Sequence, residues 1–532
     1  MASLKEDLNT IQFLKQHREP YEDTIEQIKE LMMPWRFELN TETDPGEPRI
    51  SGSFDSLAAV EADKMVNFVV GNVFPPTGDW MRLAARGQED TPANRQIFDE
   101  ATDELMQILA ESNFYTQAAY ALRDDVVTGN GYLYLEPRTP VFNPSDGSTF
   151  SGIDYEAVPF NRLWRLLDRA GRPLVVCREF EMMAFEAERF FAKDNFKYKG
   201  DPLDELTFYH LARVAKKPKE DHMVDTRWIW HEQDKSIRTG KLSFMPYAVS
   251  RWDVVDGEQY GVGRGHIARP TAAGRNELKR QILMSAGRDI NPTLLVEHDS
   301  IMNVDRASHG IIILKPSVAN RPEYLNTNTN YAAAQQVAQE DAEQIRAAFL
   351  TDLLGEPDSV ERSAEGSRQR QARIVQQVAS PAQNISTNFL APVIEATVGL
   401  ARAGGKLAML DGLEENIEVT FVSPFFTLQK QQAVQKVADF LNFKVQMAQL
   451  AERPDILDDV NFDKASAYIS KNSDIPQEIL NDEESTNQRR RGRVNLEAAD
   501  RAVAAASQLG QIPQVQAQVP GDLAGITETG VA

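Results

Sequence analysis

The sequence contains a single cysteine among its 532 residues, so no disulfide can form within the chain. Cys177 lies in the strand-like segment RPLVVCREF. We expect it to be buried and to pack as a small hydrophobic residue, and a catalytic thiol is the alternative. Apolar runs such as 66–70 and 311–314 are far shorter than the ~20 residues that cross a bilayer. Residues 1–23 lack the apolar core of a signal peptide, which predicts synthesis in a cytoplasm and no membrane partner.

Recognisable catalytic motifs are missing too. There is no Walker A sequence and no G-x-S-x-G elbow, and the 7 histidines are too scattered for a zinc site. The glycines of GVGRG, at 261–265, do not match a dinucleotide loop, so a turn is the better interpretation. Asp459, Asn461 and Asp463 begin like a calcium loop, but the glycine and glutamate that it needs are replaced by Lys464 and Ser470. The sequence therefore predicts no cofactor, no metal and no enzymatic activity.

Positive charge is scarce relative to negative charge. The chain has 57 basic and 79 acidic residues, for a net charge of −22, which argues against a protein that coats DNA. The charge balance does not exclude a protein that contacts DNA only in passing. Carboxylate pairs such as Asp124 with Asp125 leave one alternative open, a metal-dependent nucleic-acid-processing enzyme with a dispersed carboxylate site.

The first half of the chain alternates helices and short strands. Residues 1–32 are predicted to be helical with a break or restart at Pro20, and the helix near 54–73 should end at Pro75 and Pro76. Two more helices follow Pro92, and the chain then turns at GNG into the strand YLYLEP. From 153 to 260 mainly short strands are expected.

A helix, a small β insertion and a second helix form the central pattern. Residues 270–289 are predicted to be helical, two strand candidates follow, and a further helix begins near Tyr331. Each helix has a narrow apolar stripe, which suits two helices packed side by side against copies of themselves. Beyond the polar segment 355–367 come a long helix, a strand IEVTFVSP, helices over 425–510 and a disordered tail from 511. The fold class is therefore α+β.

Several ordered segments resemble portal proteins, the head-to-tail connectors of short-tailed (podovirus) bacteriophages. The helix of 54–73 leads into VFPPTGDWMRL, and YAVSRWDVVDGEQYGVGRG is similar to the family's segment before its first stem helix. INPTLLV resembles the entry to the family's clip, and ERSAEGSRQRQ, at 361–371, occupies the place of the family's M-T-A-T-E-V-x-x-R segment, although residues 362–366 depart from its usual residues. NFLAPVIEATVGLARAGGKL and IEVTFVSPF are similar to a later helix and strand of the family.

The resemblance implies a ring, usually of about twelve subunits, at one vertex of an icosahedral head. It implies passage of double-stranded DNA during packaging and ejection, without sequence specificity. The expected partners are the terminase large subunit, the major capsid and scaffolding proteins and a tail adaptor protein. The expected location is the virion at the head-tail junction, with assembly in the host cytoplasm. A generic oligomeric scaffold without a wide channel is a further alternative.

Mapped by position, the resemblance divides the chain into segments with different roles. They are a wing (1–269), stem helix 1 (270–289), a clip (290–330), stem helix 2 (331–354), a channel loop (355–367), a wing return (368–424), a helical crown (425–510) and a tail (511–532).

Basic residues near the stem and the loop are the candidates for DNA contact. The candidates are Arg275, Lys279 and Arg288 on stem helix 1, and Arg362, Arg368 and Arg370 beside the channel loop. For those on the stem helix, pairing with acids of an adjacent subunit is the alternative. The densest basic cluster comprises Arg489, Arg490, Arg491 and Arg493, and it follows three acids, so a solvated or inter-subunit ion-pair face is the alternative there.

Overall fold

A computed structural model describes most of the chain. The described residues are 3–36, 39, 52–85, 92–138, 151–219, 222–290, 294–295, 301–304, 312–314, 323–324, 330–354, 378, 380–410, 417–422, 424–450, 453 and 459–472. The chain divides into two compact units, 1–429 and 430–532. Helices and mainly antiparallel sheets share the first unit, which confirms the predicted α+β class.

Helix α1 spans Leu4–Met32 without interruption. A capping box starts it, since the Ser3 side chain accepts from the Glu6 N–H and the Glu6 carboxylate accepts from the Ser3 N–H. The break predicted at Pro20 was wrong. Packing holds the helix on both sides of the proline: Arg18 donates to three backbone carbonyls around residue 160, and Ile25 is buried in the main core. This tertiary contact outweighs the hydrogen bond that proline removes.

Three more helices and the first strand follow α1. They are α2 (Leu57–Val73), β1 (Met81–Ala85), α3 (Pro92–Glu111) and α4 (Phe114–Thr128). The VFPPTGDWMRL segment places Trp80 in the core, where its ring stacks on Phe114 and its Nε1–H donates to the Tyr115 hydroxyl at 3.1 Å. Strand β1 pairs antiparallel with β14 (Ile417–Phe421), so the early segment VFPPTGDWMRL meets the late segment IEVTFVSPF.

Two antiparallel sheets occupy the region from 130 to 251. Strands β2 (Asn130–Pro137), β3 (Ile153–Ala157) and β9 (Tyr247–Arg251) form a sheet of order β3-β2-β9. Strands β4 (Leu163–Leu167), β5 (Pro173–Met183), β6 (Glu205–Lys219), β7 (His222–Trp230) and β8 (Lys235–Leu242) form a five-stranded meander, with α5 (Ala184–Phe190) after β5. The short strands predicted over 153–260 are therefore largely confirmed.

The first half of α1 covers the outer face of the five-stranded sheet. Ile11 and Leu14 form a separate apolar cluster with sheet residues that include Trp164 and Cys177. At the helix start, the buried Asp7 carboxylate binds Arg213 at 3.0 Å and Arg227 at 2.8 Å. Because the second half of α1 packs in the main core, this helix joins the sheet to the helical part of the unit.

The central helix–β–helix pattern is present in the structure. Helix α6 spans Arg264–Ile290 and α7 spans Tyr331–Ala348, and between them lie β10 (Leu294–Leu295), β11 (Ile301–Val304), β12 (Ile312–Leu314) and β13 (Glu323–Tyr324). These strands form two antiparallel pairs, β10 with β13 and β11 with β12. Leu350 adopts a left-handed conformation with φ 59° and separates α7 from the short α8 (Thr351–Leu354).

The last described elements follow residue 377. A π-helical turn, Ser386–Leu390, runs directly into α9 (Ala391–Ala403), whose buried face includes Val393, Ile394 and Val398. Helix α10 spans Pro424–Leu450 and α11 spans Phe462–Asn472. In the second unit, Lys444 of α10 binds the Asp459 carboxylate at 2.6 Å. The predicted channel loop and the predicted tail lie outside the described residues.

Candidate functional site

The start of helix α6 is fixed by a crossing of two glycine-rich segments, GNG at 129–131 and GVGRG at 261–265. A Cβ atom built on Gly129 would lie 2.5 Å from the Gly263 nitrogen, and one on Gly263 would lie 2.4 Å from the Gly129 nitrogen. Gly129 also has φ 80°, as the left-handed cap of α4. The turn predicted for GVGRG is thus a backbone-on-backbone contact that only glycine permits.

A buried asparagine stabilises this crossing. The Asn130 Oδ1 accepts from the Gly261 N–H at 2.9 Å, and its Nδ2 donates to the Gly261 carbonyl at 3.2 Å. The same Oδ1 accepts from Arg165 Nη2 at 2.6 Å, and Arg165 is fully buried between the rings of Tyr132 and Tyr260. Because Arg165 belongs to β4, the five-stranded sheet is connected through Asn130 to the start of α6.

Helices α6 and α7 pack antiparallel as a pair. Three contacts define their register: Thr271 Oγ1 with Gln344 Oε1 at 3.3 Å, Arg275 Nη1 with the Ala338 carbonyl, and the Tyr331 hydroxyl with the Asp289 carboxylate. Helix α2 packs beside them, and its buried Glu61 carboxylate lies 3.8 Å from Arg346 of α7.

The loop before α2 supplies one carboxylate that binds two of the predicted DNA-facing cations. Asp55, whose carboxylate is largely buried, lies 3.1 Å from Arg275 Nε and accepts from Lys279 Nζ at 3.3 Å. The Asn276 side chain fastens the same loop, since its Oδ1 accepts from the backbone N–H groups of Phe54 and Asp55. Hydrogen bonds from Leu57 and Arg275 lower the pKa of Asp55 against the effect of burial, so the carboxylate is charged near neutral pH.

The other predicted cations divide into two groups. Arg288 lies exposed in the last turn of α6. The candidates beside the channel loop and in the crown lie outside the described residues, so their contacts stay predictions. These are Arg362, Arg368, Arg370, Arg489, Arg490, Arg491 and Arg493. The sequence did not predict the contacts of Asp55, Asn130 and Arg165. Only the two glycine-rich motifs indicated an unusual backbone conformation or close packing near residues 130 and 261.

The carboxylate pair Asp124–Asp125 is buried, and its two members face different partners. Asp124 accepts a bidentate interaction from Arg36, with Nη2 at 2.8 Å, whereas Asp125 accepts from the Ser250 hydroxyl at 2.7 Å. Burial raises the pKa of Asp125 to about 7, against the opposing influence of Ser250 and Arg165. The pair does not form a shared site, and both side chains stabilise the packing of α4.

Three structural features bear on metal binding, membrane insertion and thiol chemistry. Among the described residues, no group of three or more His, Cys, Asp or Glu side chains is placed to hold a metal ion. No helix in the described part of the chain combines the length and the apolarity that crossing a membrane requires. Cys177 is fully buried, and burial raises the pKa of its thiol, which disfavours the reactive thiolate.

Comparison with protein families matches residues 5–480 to the family described as bacteriophage head to tail connecting protein. The chain belongs to this family. Comparison with individual curated proteins gives no match. The connector is accordingly a structural protein of the bacteriophage virion, and the family implies that it assembles with itself and with capsid and tail components. The match covers both central helices and the β pairs between them.

Proposed function

We propose that the connector is a portal protein: a ring of about twelve copies at one capsid vertex, through which double-stranded DNA enters and leaves. The observation that carries this proposal is the antiparallel α6–α7 pair joined by small β pairs, inside a family match that covers 5–480. The terminase large subunit and the tail adaptor bind at the clip, and the major capsid and scaffolding proteins surround the ring during assembly in the host cytoplasm.

The described elements support a division of roles along the chain. Helix α6 acts as stem helix 1, the β pairs between 294 and 324 as the clip, and α7 as stem helix 2. The helices and sheets before α6 act as the wing, together with α9 and β14. Helices α10 and α11 belong to the crown.

DNA contact in the channel is electrostatic and sequence-independent. Among the stem cations, Arg288 is the best placed to reach a phosphate, because it is exposed, whereas Asp55 already binds Arg275 and Lys279. Further contacts come from Arg362 within the channel loop and from Arg368 and Arg370 directly after it.

Electron microscopy of the purified full chain tests the proposal, with mass from light scattering. We expect rings with an axial channel wider than the ~20 Å of duplex DNA. Closed rings with a narrower channel would favour the generic scaffold. A monomer or dimer, with DNA cleavage that depends on a divalent metal, would favour the nucleic-acid-processing enzyme and overturn the portal assignment.

A further inference from the structure

Helix α10 of the second unit has an exposed apolar face. Its side chains are large, are 43–85% exposed and follow one another at intervals of three, four and three residues. At about 100° per residue they fall within about 80° of one another, so they form one stripe along the helix. This α10 stripe comprises Phe440, Phe443, Met447 and Leu450.

The stripe is separate from the face of α10 that is already partly covered. Val437, Leu441 and Val445 are half-buried, and they lie about 140° around the helix from the stripe. Lys444 lies between the two faces: it binds the Asp459 carboxylate, and its Nζ is 5.7 Å from the centroid of the Phe440 ring. A helix that is apolar on two sides needs cover on both, so the stripe indicates a docking surface.

A later segment of the chain matches the stripe in spacing and in size. Residues 494–509 contain neither glycine nor proline and are rich in alanine, which predicts a helix. Apolar residues recur in it at the same three, four and three intervals, namely Leu496, Ala499, Val503 and Ala506. Because three of these side chains are small and those of the stripe are large, the two rows can interdigitate as the seam of a helix pair does.

The division of the chain favours a contact within one copy. Residues 430–532 form one compact unit, so the α10 stripe and residues 496–506 belong to the same unit. Helix α11 ends at Asn472, and the connection 473–495 can reach about 75 Å when extended. The stripe is about 15 Å long, so the connection imposes no restriction on either direction of packing.

We propose that residues 496–506 form a helix that packs on the α10 stripe of the same chain. The contact buries the four large side chains of the stripe and completes the packing of the second unit. This inference goes beyond the proposed function, because it concerns contacts inside one copy and does not require a ring.

Thiol labelling of the full chain tests whether the stripe is covered. Cys177 is the one cysteine of the sequence and is fully buried, so an introduced cysteine is the thiol that a maleimide reaches. Met447 and Asn442 are both exposed on α10, but Asn442 lies about 120° away from the stripe. We expect Met447→Cys to be labelled about tenfold more slowly than Asn442→Cys, because its labelling requires the segment to open.

A second substitution tests which segment provides the cover. Val503→Asp places a charge in the proposed seam and should raise the labelling rate of Met447→Cys to that of Asn442→Cys. Ala498→Asp is the matched control, since residue 498 lies about 120° away from the seam and the slow rate should persist. Circular dichroism checks that each variant keeps its helices.

The other outcomes overturn the inference. Equal rates for Met447→Cys and Asn442→Cys in the otherwise unchanged chain would show that the stripe is free. Protection that disappears on dilution would show that a second copy covers it, whereas cover by the same chain does not depend on concentration. Protection that survives Val503→Asp would assign the cover to another segment. None of these results bears on ring formation, which electron microscopy tests separately.

Discussion

At the scale of single residues, Gly265 lies in the first turn of α6, where a side chain has no room. A Cβ atom there would be 2.4 Å from the Val127 carbonyl oxygen and 2.7 Å from Ile28 Cγ2. Gly265→Ala should therefore lower the free energy of unfolding by about 2–4 kcal/mol, because backbone of α4 must shift. Thermal or denaturant unfolding measures the change.

Gly274 provides the matched control for Gly265 in the same helix. A Cβ atom at Gly274 would meet no atom within 4 Å. Gly274→Ala should gain about 0.5–1 kcal/mol from helix propensity alone. Equal effects of the two substitutions would show that the glycine crossing does not limit the position of α6.

Asp125 makes the stability of the first unit depend on pH. Its pKa is raised to about 7 in the folded protein, whereas an unfolded aspartate titrates near 3.9, so the folded state binds more protons between these values. Stability from this group is therefore lost as the pH rises from about 4 to about 7, by up to about 1.4 kcal/mol per pH unit. Arg165 and Asp124 are the charged groups that interact with it.

Asp125→Asn should remove this dependence, because asparagine still accepts from Ser250 but does not titrate. Unfolding temperatures measured from pH 5.5 to 8 should then show the variant gaining on the wild type up to about pH 7, with a constant difference above it. Asp99→Asn, at an exposed position of α3, should follow the wild-type curve. Parallel curves for Asp125→Asn and the wild type would disprove the assignment.

At the scale of elements, periodicity predicts that a helix exists better than it predicts where the helix starts or breaks. Helix α6 begins at Arg264, ahead of the predicted 270, because the glycine crossing and the His266 Nδ1, which accepts from the Gly263 N–H at 3.2 Å, organise its first turn. Pro270 then lies in the second turn of the helix, where it removes the hydrogen bond that residue 270 would donate to the carbonyl of residue 266. The predicted helix over 331–354 is interrupted at Leu350, and neither glycine nor proline stands at that position to predict the interruption.

Side-chain partners of the candidate site were less predictable than its helices. The stripes of α6 and α7 indicate which faces are covered, but not that Asp55, from a loop far away in the chain, binds Arg275 and Lys279. The same holds for Asn130, whose role depends on Gly261 being next to it. Periodicity predicts which face of a helix is buried, whereas the residue that packs against that face is determined by the tertiary fold.

At the scale of the whole molecule, a net charge of −22 and a DNA conduit are compatible. Two of the three predicted stem cations, Arg275 and Lys279, share the single Asp55 carboxylate, which reduces the positive charge that they present to phosphate. Weak contacts suit a duplex that must slide, because each neutralised phosphate adds affinity and slows release. In the proposed ring, retention of DNA must then depend on other segments.

The channel loop is the segment that we expect to retain DNA. Residues 355–367 follow α8 and lie outside the described residues, and Arg362 belongs to this segment. Deletion of 355–367 should leave rings intact by electron microscopy but impair DNA packaging or retention in assembled particles. A Gly/Ser linker of equal length is the control, since it keeps the connection without the charges, and it should reproduce the defect. Loss of rings after the deletion, with intact rings in the linker variant, would instead mean that the ring needs this length of chain between α8 and the following helix.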